Sequence, residues 1–184
     1  MKPFIASIRL VLVTLLVTVA GYTALMLGFA KVAAPDSALG SLVLGSDGKV
    51  IGSRLIAQKF SQARYFWPRP SAVDYNASGA GGSNKSPTSG DLTDRAAKAI
   101  AEFGATADNP LPAELAAASG GGLDPHITED GALYQAERVA KARGLPQSQV
   151  EETIRRQAFV SGAFLAPQRL VNVLELNLAL DAKL

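Results

Sequence analysis

Apolar residues in this chain fall into one unbroken run and several short periodic segments. Residues 10–30, LVLVTLLVTVAGYTALMLGFA, carry no charged side chain over 21 positions. As a helix with about 1.5 Å rise per residue, the run spans about 30 Å, the depth of a bilayer's hydrocarbon core. Leu42 to Leu44 and Lys49 to Ile51 are short apolar segments on either side of Ser-Asp-Gly and predict a hairpin. Leu55 to Phe60 predicts a short helix after Ser53, and the polar, glycine-rich stretch 76–90 predicts neither helix nor strand. From Asp91 to Phe103, Leu92, Ala96, Ala99, Ile100 and Phe103 recur at helical spacing, with Asp91 as the cap and Gly104 as the stop. Pro112 opens a predicted two-turn helix closed at Gly120.

The strongest helical pattern runs from Glu129 to Arg143. Thr128 is its predicted N-cap, acids fill its first turn, bases fill its last, and Gly144 is its left-handed C-cap. Ser148-x-x-Glu151 reads as a capping box for the next helix, which carries the i,i+4 pairs Glu151–Arg155 and Glu152–Arg156. In 171–180, Leu174, Leu176, Leu178 and Leu180 alternate with Glu175, Asn177 and Ala179, and this period of two predicts a strand.

Charge gives the long run a direction. Lys2 and Arg9 precede it, and from Lys31 onward 16 basic residues balance 16 acidic ones. The net charge of +2 therefore lies entirely in the N-terminal tail. The positive-inside rule places that tail in the cytoplasm and residues 31–184 across the membrane. A cleaved signal peptide ending near Gly28 and Ala30 is the competing reading, but its apolar core would normally be about 7–15 residues. The neutral, interleaved charge of the remainder argues against nucleic acid. Cysteine is absent and His126 is the only histidine, which excludes thiolate zinc sites and catalytic zinc held by histidines alone.

Two stretches invite chemistry. Gly79-Ala-Gly-Gly-Ser-Asn-Lys85-Ser86 approaches a phosphate-binding loop, but Asn84 replaces its last glycine. No strand leads into it, and Pro87 stands where the helix should start, so it reads as a turning surface loop. Ser119, Asp124 and His126 offer the residue types of a hydrolytic triad without a nucleophile-elbow motif. A membrane-anchored serine hydrolase of the periplasm is therefore the alternative function. The plainer reading has Asp124 and His126 bonding loop backbone ahead of Thr128. Arg69, held between two prolines, is placed to pair with Asp74, Asp124 or a partner's carboxylate. Tyr65, Phe66 and Trp67 supply core or interface anchors.

Taken in order, several segments resemble one family. They are Gly52-Ser-Arg-Leu-Ile-Ala-Gln58, Tyr65-Phe-Trp-Pro-Arg-Pro-Ser71, Tyr75-Asn76, Gly82-Ser-Asn84, Ala118-Ser-Gly with Leu123-Asp-Pro-His-Ile127, Arg138 to Gly144, and Arg169 to Leu180. Together they resemble the C subunit of the Kdp potassium-transporting P-type ATPase of bacteria. The Gly120–Gly122 run and Pro68 depart from the usual pattern without touching catalytic residues.

The resemblance implies an α/β (mixed α+β) extracytoplasmic domain anchored by one N-terminal transmembrane helix. The divisions would be a cytoplasmic N-terminus at 1–9, a membrane helix at 10–30 and a periplasmic domain at 31–184. It further implies a non-catalytic subunit of the inner membrane that helps hold a potassium import complex together. Its partners would be a channel-like potassium-binding subunit, an ATP-hydrolysing subunit and membrane lipid, with no nucleic acid. ATP, Mg²⁺ and K⁺ would be used by those partners, with no cofactor bound directly. The residues singled out as structural or partner contacts are Tyr65, Phe66, Trp67, Arg69, Tyr75, Asn76, Ser83 and Asn84. Ser119, Asp124, His126, Arg138, Arg169, Asn172 and Asn177 complete the set, with none assigned to catalysis or metal.

Overall fold

The computed structural model describes residues 2–162 and 166–182 and divides the chain into two compact units, Met1–Ile51 and Gly52–Leu184. In the first unit the apolar run is one continuous helix, Lys2–Ala33, longer at both ends than its uncharged core. It comprises α1 (Lys2–Leu15), a π-helical stretch (Leu16–Gly21) and α2 (Tyr22–Ala33). No side chain of this helix is buried within the chain, as befits a surface meant for lipid or other helices. A single turn, α3 (Pro35–Ala38), leads to the hairpin β1 (Leu42–Leu44) and β2 (Val50–Ser53), which pair as expected. Asp47 closes the hairpin by accepting from the Lys49 amide at 3.1 Å.

The second unit begins with a long irregular stretch. The helix expected at 55–60 does not form. Instead the Ser53 hydroxyl accepts from Leu55 N at 3.1 Å, so the chain turns locally where a helix would propagate. Residues 76–89 contain neither helix nor strand, as expected. Next comes α4 (Gly90–Phe103), ended by Gly104 in the left-handed region at φ 65°. Its N-cap is Ser89, and Asp91 lies in the first turn paired with Lys85, so the expected Asp91 cap shifts by two residues. The helix opened by Pro112 is only one turn, α5 (Ala113–Ala116), and ends at Ala117 well short of Gly120.

The remaining elements are β3 (His126–Thr128), α6 (Glu129–Arg143), α7 (Gln147–Gln157), β4 (Phe159–Gly162), β5 (Ala166–Asn172) and α8 (Val173–Asp181). For α6 the bounds and both caps match expectation: Thr128 Oγ1 accepts from Gly131 N at 2.9 Å, and Gly144 adopts φ 67°. For α7 they do not, because Pro146 is the N-cap and Ser148 sits inside the first turn, so there is no capping box. The Glu151–Arg155 pair forms at 3.0 Å.

The largest correction concerns 171–180. Only Val171 and Asn172 continue a strand, and the alternating leucines lie on helix α8. Leucines at nearly every other position satisfy both periods. The buried set Val173, Leu174, Leu176, Asn177 and Leu180 follows i, i+1, i+3, i+4, i+7, one helical face, and so selects the helix. Asn172 Oδ1 accepts from Glu175 N at 3.2 Å and starts it.

The sheet is three-stranded and antiparallel in the order β3-β5-β4, with Ile127 opposite Val171 and Phe159 opposite Leu170. Helix α7 packs on both α6 and α8, and all three pack on β5. Their shared core contains Ile127, Ala136, Val139, Val150, Ile154, Val171, Leu176 and Leu180, together with Phe66 from the irregular part and Leu115 from α5. Removing a side chain of this size from water contributes about 1.5–3 kcal/mol. This core is therefore a firm platform on which the loop-borne motifs can be fixed.

Candidate functional site

The motif Tyr65-Phe-Trp-Pro-Arg-Pro70 runs as irregular chain across this platform, and side chains from distant helices hold its backbone. Asn177, on α8, accepts from Phe66 N at 2.8 Å and donates to Phe66 O at 3.1 Å. Gln135, on α6, does the same for the next residue, accepting from Trp67 N at 2.9 Å and donating to Trp67 O at 3.1 Å. Each carboxamide thus offers one donor and one acceptor in the geometry of a neighbouring strand. Both amides are almost fully buried, at 1% exposure each. Their pairing satisfies peptide groups that would otherwise be shut away from water.

The carbonyls just upstream are taken by arginines. Arg138 donates to Ala63 O at 2.7 Å and to Tyr65 O at 3.1 Å, and Arg143 donates to Arg64 O at 2.7 Å. Arg138 also bonds Gln135 Oε1 at 2.7 Å and lays its guanidinium over the Trp67 ring, 3.9 Å from the centroid. Burial pulls its pKa down to about 10, which leaves it charged at neutral pH. The Arg143 side chain is completely buried and pairs with Asp181 at 2.8 Å, and Asp181 also receives Arg64 at 3.4 Å. Phe66 is the fully buried anchor of the motif, whereas Tyr65 and Trp67 are half-buried. Trp67 packs edge-on against Phe103 with centroids 5.2 Å apart.

Beyond Pro68, Arg69 reaches Asp124 at 3.3 Å and Ala118 O at 3.5 Å. This settles its pairing in favour of Asp124. Asp124 Oδ1 accepts from His126 N at 3.0 Å and lies 3.6 Å from Nδ1 of the same histidine. Partial burial would raise the Asp124 pKa, but the bonds from His126 and the nearby Arg69 charge together hold it below the ordinary carboxylate value. The His126 ring meets Phe159 edge-on at 5.4 Å.

Ser119 is buried and its amide donates to Pro70 O at 3.1 Å. Among the described residues no hydrogen bond joins Ser119 to His126. The three residue types of a triad are therefore present without being assembled, and the hydrolase alternative loses its geometric basis.

Tyr75 holds an unusual backbone. Asp74 and Tyr75 take φ of 50° and 59°, and the Ser71 hydroxyl accepts from both Val73 N and Tyr75 N. The phenol donates to Arg69 O at 3.0 Å, and burial followed by the Asp74 charge pushes its pKa up to about 12. Asn76 is exposed and its side chain accepts from Ser78 N at 3.0 Å, an Asx turn. Ser83 is half-buried, and Asn84 is exposed with φ 50°. Their loop lies against the glycine run: Gly81 N donates to Gly121 O at 2.9 Å, and a Cβ on Gly82 would fall 2.7 Å from Gly120 O. The phosphate-loop lookalike is thus half of a loop-to-loop contact.

Arg169, on β5, ties the other end of the sheet, pairing with Glu129 at 2.6 Å and donating to the carbonyls of Arg155 and Ala158. Asn172 donates to Arg54 O at 2.9 Å while capping α8.

Sequence reasoning missed Gln135, Arg143, Asp181 and Glu114. Glu114 accepts from Thr128 N at 3.0 Å and from the Thr128 hydroxyl, at the positive end of α6. A Cβ on Gly131 would collide with that carboxylate, which explains a glycine in the first turn of a helix. Gln135 did leave a signal, being a polar residue on the same helical face as Ala132, Ala136 and Val139. A buried amide on such a face needs partners from elsewhere in the chain.

The arrangement defines a class: a small α/β domain, preceded by one apolar helix, whose polar side chains are committed to fixing its own irregular backbone. The family model described as "KdpC: K+-transporting ATPase, c chain" matches residues 4–182. A potassium-transporting ATPase KdpC subunit of Parvibaculum lavamentivorans is 68% identical over 181 residues, covering 98% of this chain and 97% of that protein. Subunits of the same name from Xanthomonas campestris pv. campestris and Pseudomonas aeruginosa are 44% and 42% identical. They cover 96% and 98% of this chain, and 85% and 95% of their own lengths. The chain belongs to the KdpC family of K⁺-transporting ATPase subunits. It is accordingly a membrane-associated subunit of a potassium transport complex and has partner subunits.

Proposed function

We propose that this chain is a non-catalytic assembly subunit of its potassium import complex. Helix 2–33 crosses the inner membrane with its N-terminus in the cytoplasm, and the domain from Gly52 onward stands in the periplasm. There it helps hold a channel-like potassium-binding subunit and an ATP-hydrolysing subunit together, with lipid around the helix. ATP, Mg²⁺ and K⁺ are handled by those partners, and any influence of this chain on ATP affinity or ion entry is indirect.

The observation that carries this reading is the use made of the polar motif residues. Asn177, Gln135, Arg138 and Arg143 are spent on the backbone of 63–67, and Asp124 on Arg69 and His126. Side chains so engaged supply rigidity to a docking surface, and Asp124, the carboxylate among them, is held by Arg69 and His126. The charge asymmetry of the helix, with Lys2 and Arg9 at its start, supports the orientation. Purification of the full-length chain in mild detergent should bring both large subunits with it. A version lacking residues 1–33 should lose them and fail to support growth in low potassium. Full assembly and uptake by the truncated version would refute the anchoring role.

A further inference from the structure

A groove of about 320 Å³ opens between α4 and the segment 59–75. Trp67, Phe103 and Leu115 give it an apolar floor, and Lys59, Arg95, Lys98 and Glu102 line its edge. Two of these cations have acid neighbours: Lys59 lies 2.8 Å from Asp74 and Lys98 lies 3.8 Å from Glu102. Arg95 has none. Its Nε is shielded from solvent without a hydrogen-bond partner, and the residue makes no hydrogen bond or ion pair among the described residues. Arg64, Arg69, Arg138 and Arg143 also carry an unpaired shielded nitrogen, but each donates through another nitrogen. Arg138 likewise has no acid partner but donates to three oxygens of the chain, so among these arginines only Arg95 makes no hydrogen bond.

A guanidinium that shares a groove with aromatic side chains selects a ligand with two parts. Its planar fork matches a carboxylate, and the floor of Trp67 and Phe103 matches an apolar neighbour of that carboxylate. A small inorganic anion would leave the apolar floor unfilled. A subunit of a multi-subunit complex has partner chains at hand, and extended segments bearing Asp or Glu beside apolar residues supply both parts. The groove wall is also stiff, because the Gln135 and Arg138 clamps fix Trp67 before any partner arrives.

We infer that this groove is a docking site for an extended segment of a partner subunit, in which a carboxylate pairs with Arg95 and an adjacent apolar side chain packs on Trp67 and Phe103. The inference rests on the chain's having partner subunits.

The test uses the full-length chain co-expressed with the other subunits of its complex and purified in mild detergent. Arg95→Glu should reduce the partner subunits retained per chain by at least about tenfold, with Arg95→Lys falling between it and the unaltered protein. Trp67 fluorescence and the melting temperature of the domain should be unchanged, since Arg95 makes no internal bond. A photo-crosslinking residue at position 98, in an otherwise unaltered chain, should attach to an acidic stretch of one partner subunit. Retention of Arg95→Glu at the unaltered level would overturn the inference. So would a crosslink confined to lipid, to a second copy of this chain, or to nothing. Failure of the unaltered chain to retain any partner would refute the assembly reading first, so the two failures are separable.

Discussion

Replacing Asn177 by alanine probes the clamp on the aromatic motif directly. The change removes the carboxamide that accepts from Phe66 N and donates to Phe66 O, at 2.8 and 3.1 Å, in a site only 1% exposed. Water cannot easily replace it, so both peptide groups lose their partners in a buried setting. Each orphaned group costs about 1–3 kcal/mol, and the sum is about 3–4 kcal/mol. For a domain of this size about 1 kcal/mol corresponds to about 3–5 °C, so the melting temperature should fall by about 10–15 °C. Trp67 is the only tryptophan and lies next to Phe66, so its fluorescence reports release of the segment while circular dichroism reports the helices. Asn76→Ala, at an exposed turn, serves as the control and should cost no more than about 0.5 kcal/mol. The double variant Asn177→Ala with Gln135→Ala should lose less than the sum of the two singles, because a segment freed by one loss no longer needs the other clamp. A fall of less than about 4 °C for Asn177→Ala would mean that the two hydrogen bonds do not hold the motif.

Other perturbations test other parts of the structure. Gly131→Ala puts a Cβ against the mobile Glu114 carboxylate and should loosen the Thr128–Glu114 cap, a loss of about 2 kcal/mol offset by about 1 kcal/mol of helix propensity, so the net cost in chemical denaturation should be about 1 kcal/mol. Gly122→Ala forces a side chain onto φ 70° with its Cβ 2.6 Å from Val73 Cγ2, and should cost at least about 1–2 kcal/mol and raise protease cutting in 79–84. Because Asp124 is held below its ordinary pKa of 3.8 in the folded chain, its stabilising contribution is full above that value and disappears as pH falls through the lower, folded one. Asp124→Asn should therefore flatten the loss of stability below about pH 4, measured as denaturation midpoint against pH. An unchanged slope would remove Asp124 from the acid response.

Local pattern sufficed where local forces decide. Helix 2–33 follows from apolar length, the hairpin from Ser-Asp-Gly between apolar triplets, and α6 from Thr128, its terminal charges and Gly144. The ordered motifs likewise pointed to the family that the comparisons then established. Errors arose where two local readings were equally good. The leucines of 173–180 satisfy strand and helix alike, and a core waiting for Leu176 and Leu180 together with Asn177's appointment with Phe66 decides for the helix. Ser148 looks like a cap, yet Pro146 starts the helix two residues earlier.

By itself, then, the sequence determined the anchoring-type helix, the caps of α6, the charge asymmetry and the family. Only the tertiary structure showed what the motif residues are for. Asn177 meets Phe66 across 111 positions and Gln135 meets Trp67 across 68, and bonds between residues so far apart leave no periodic trace in the chain. It also revealed that no hydrogen bond joins Ser119 to His126 among the described residues, that Arg69 pairs with Asp124, and that Arg95 lines a groove with no hydrogen bond or ion pair among the described residues. The physical reason is the same in each case. Hydrogen-bond partnership depends on distances of about 3 Å, and those are set by how helices and loops pack rather than by which residues are neighbours along the chain.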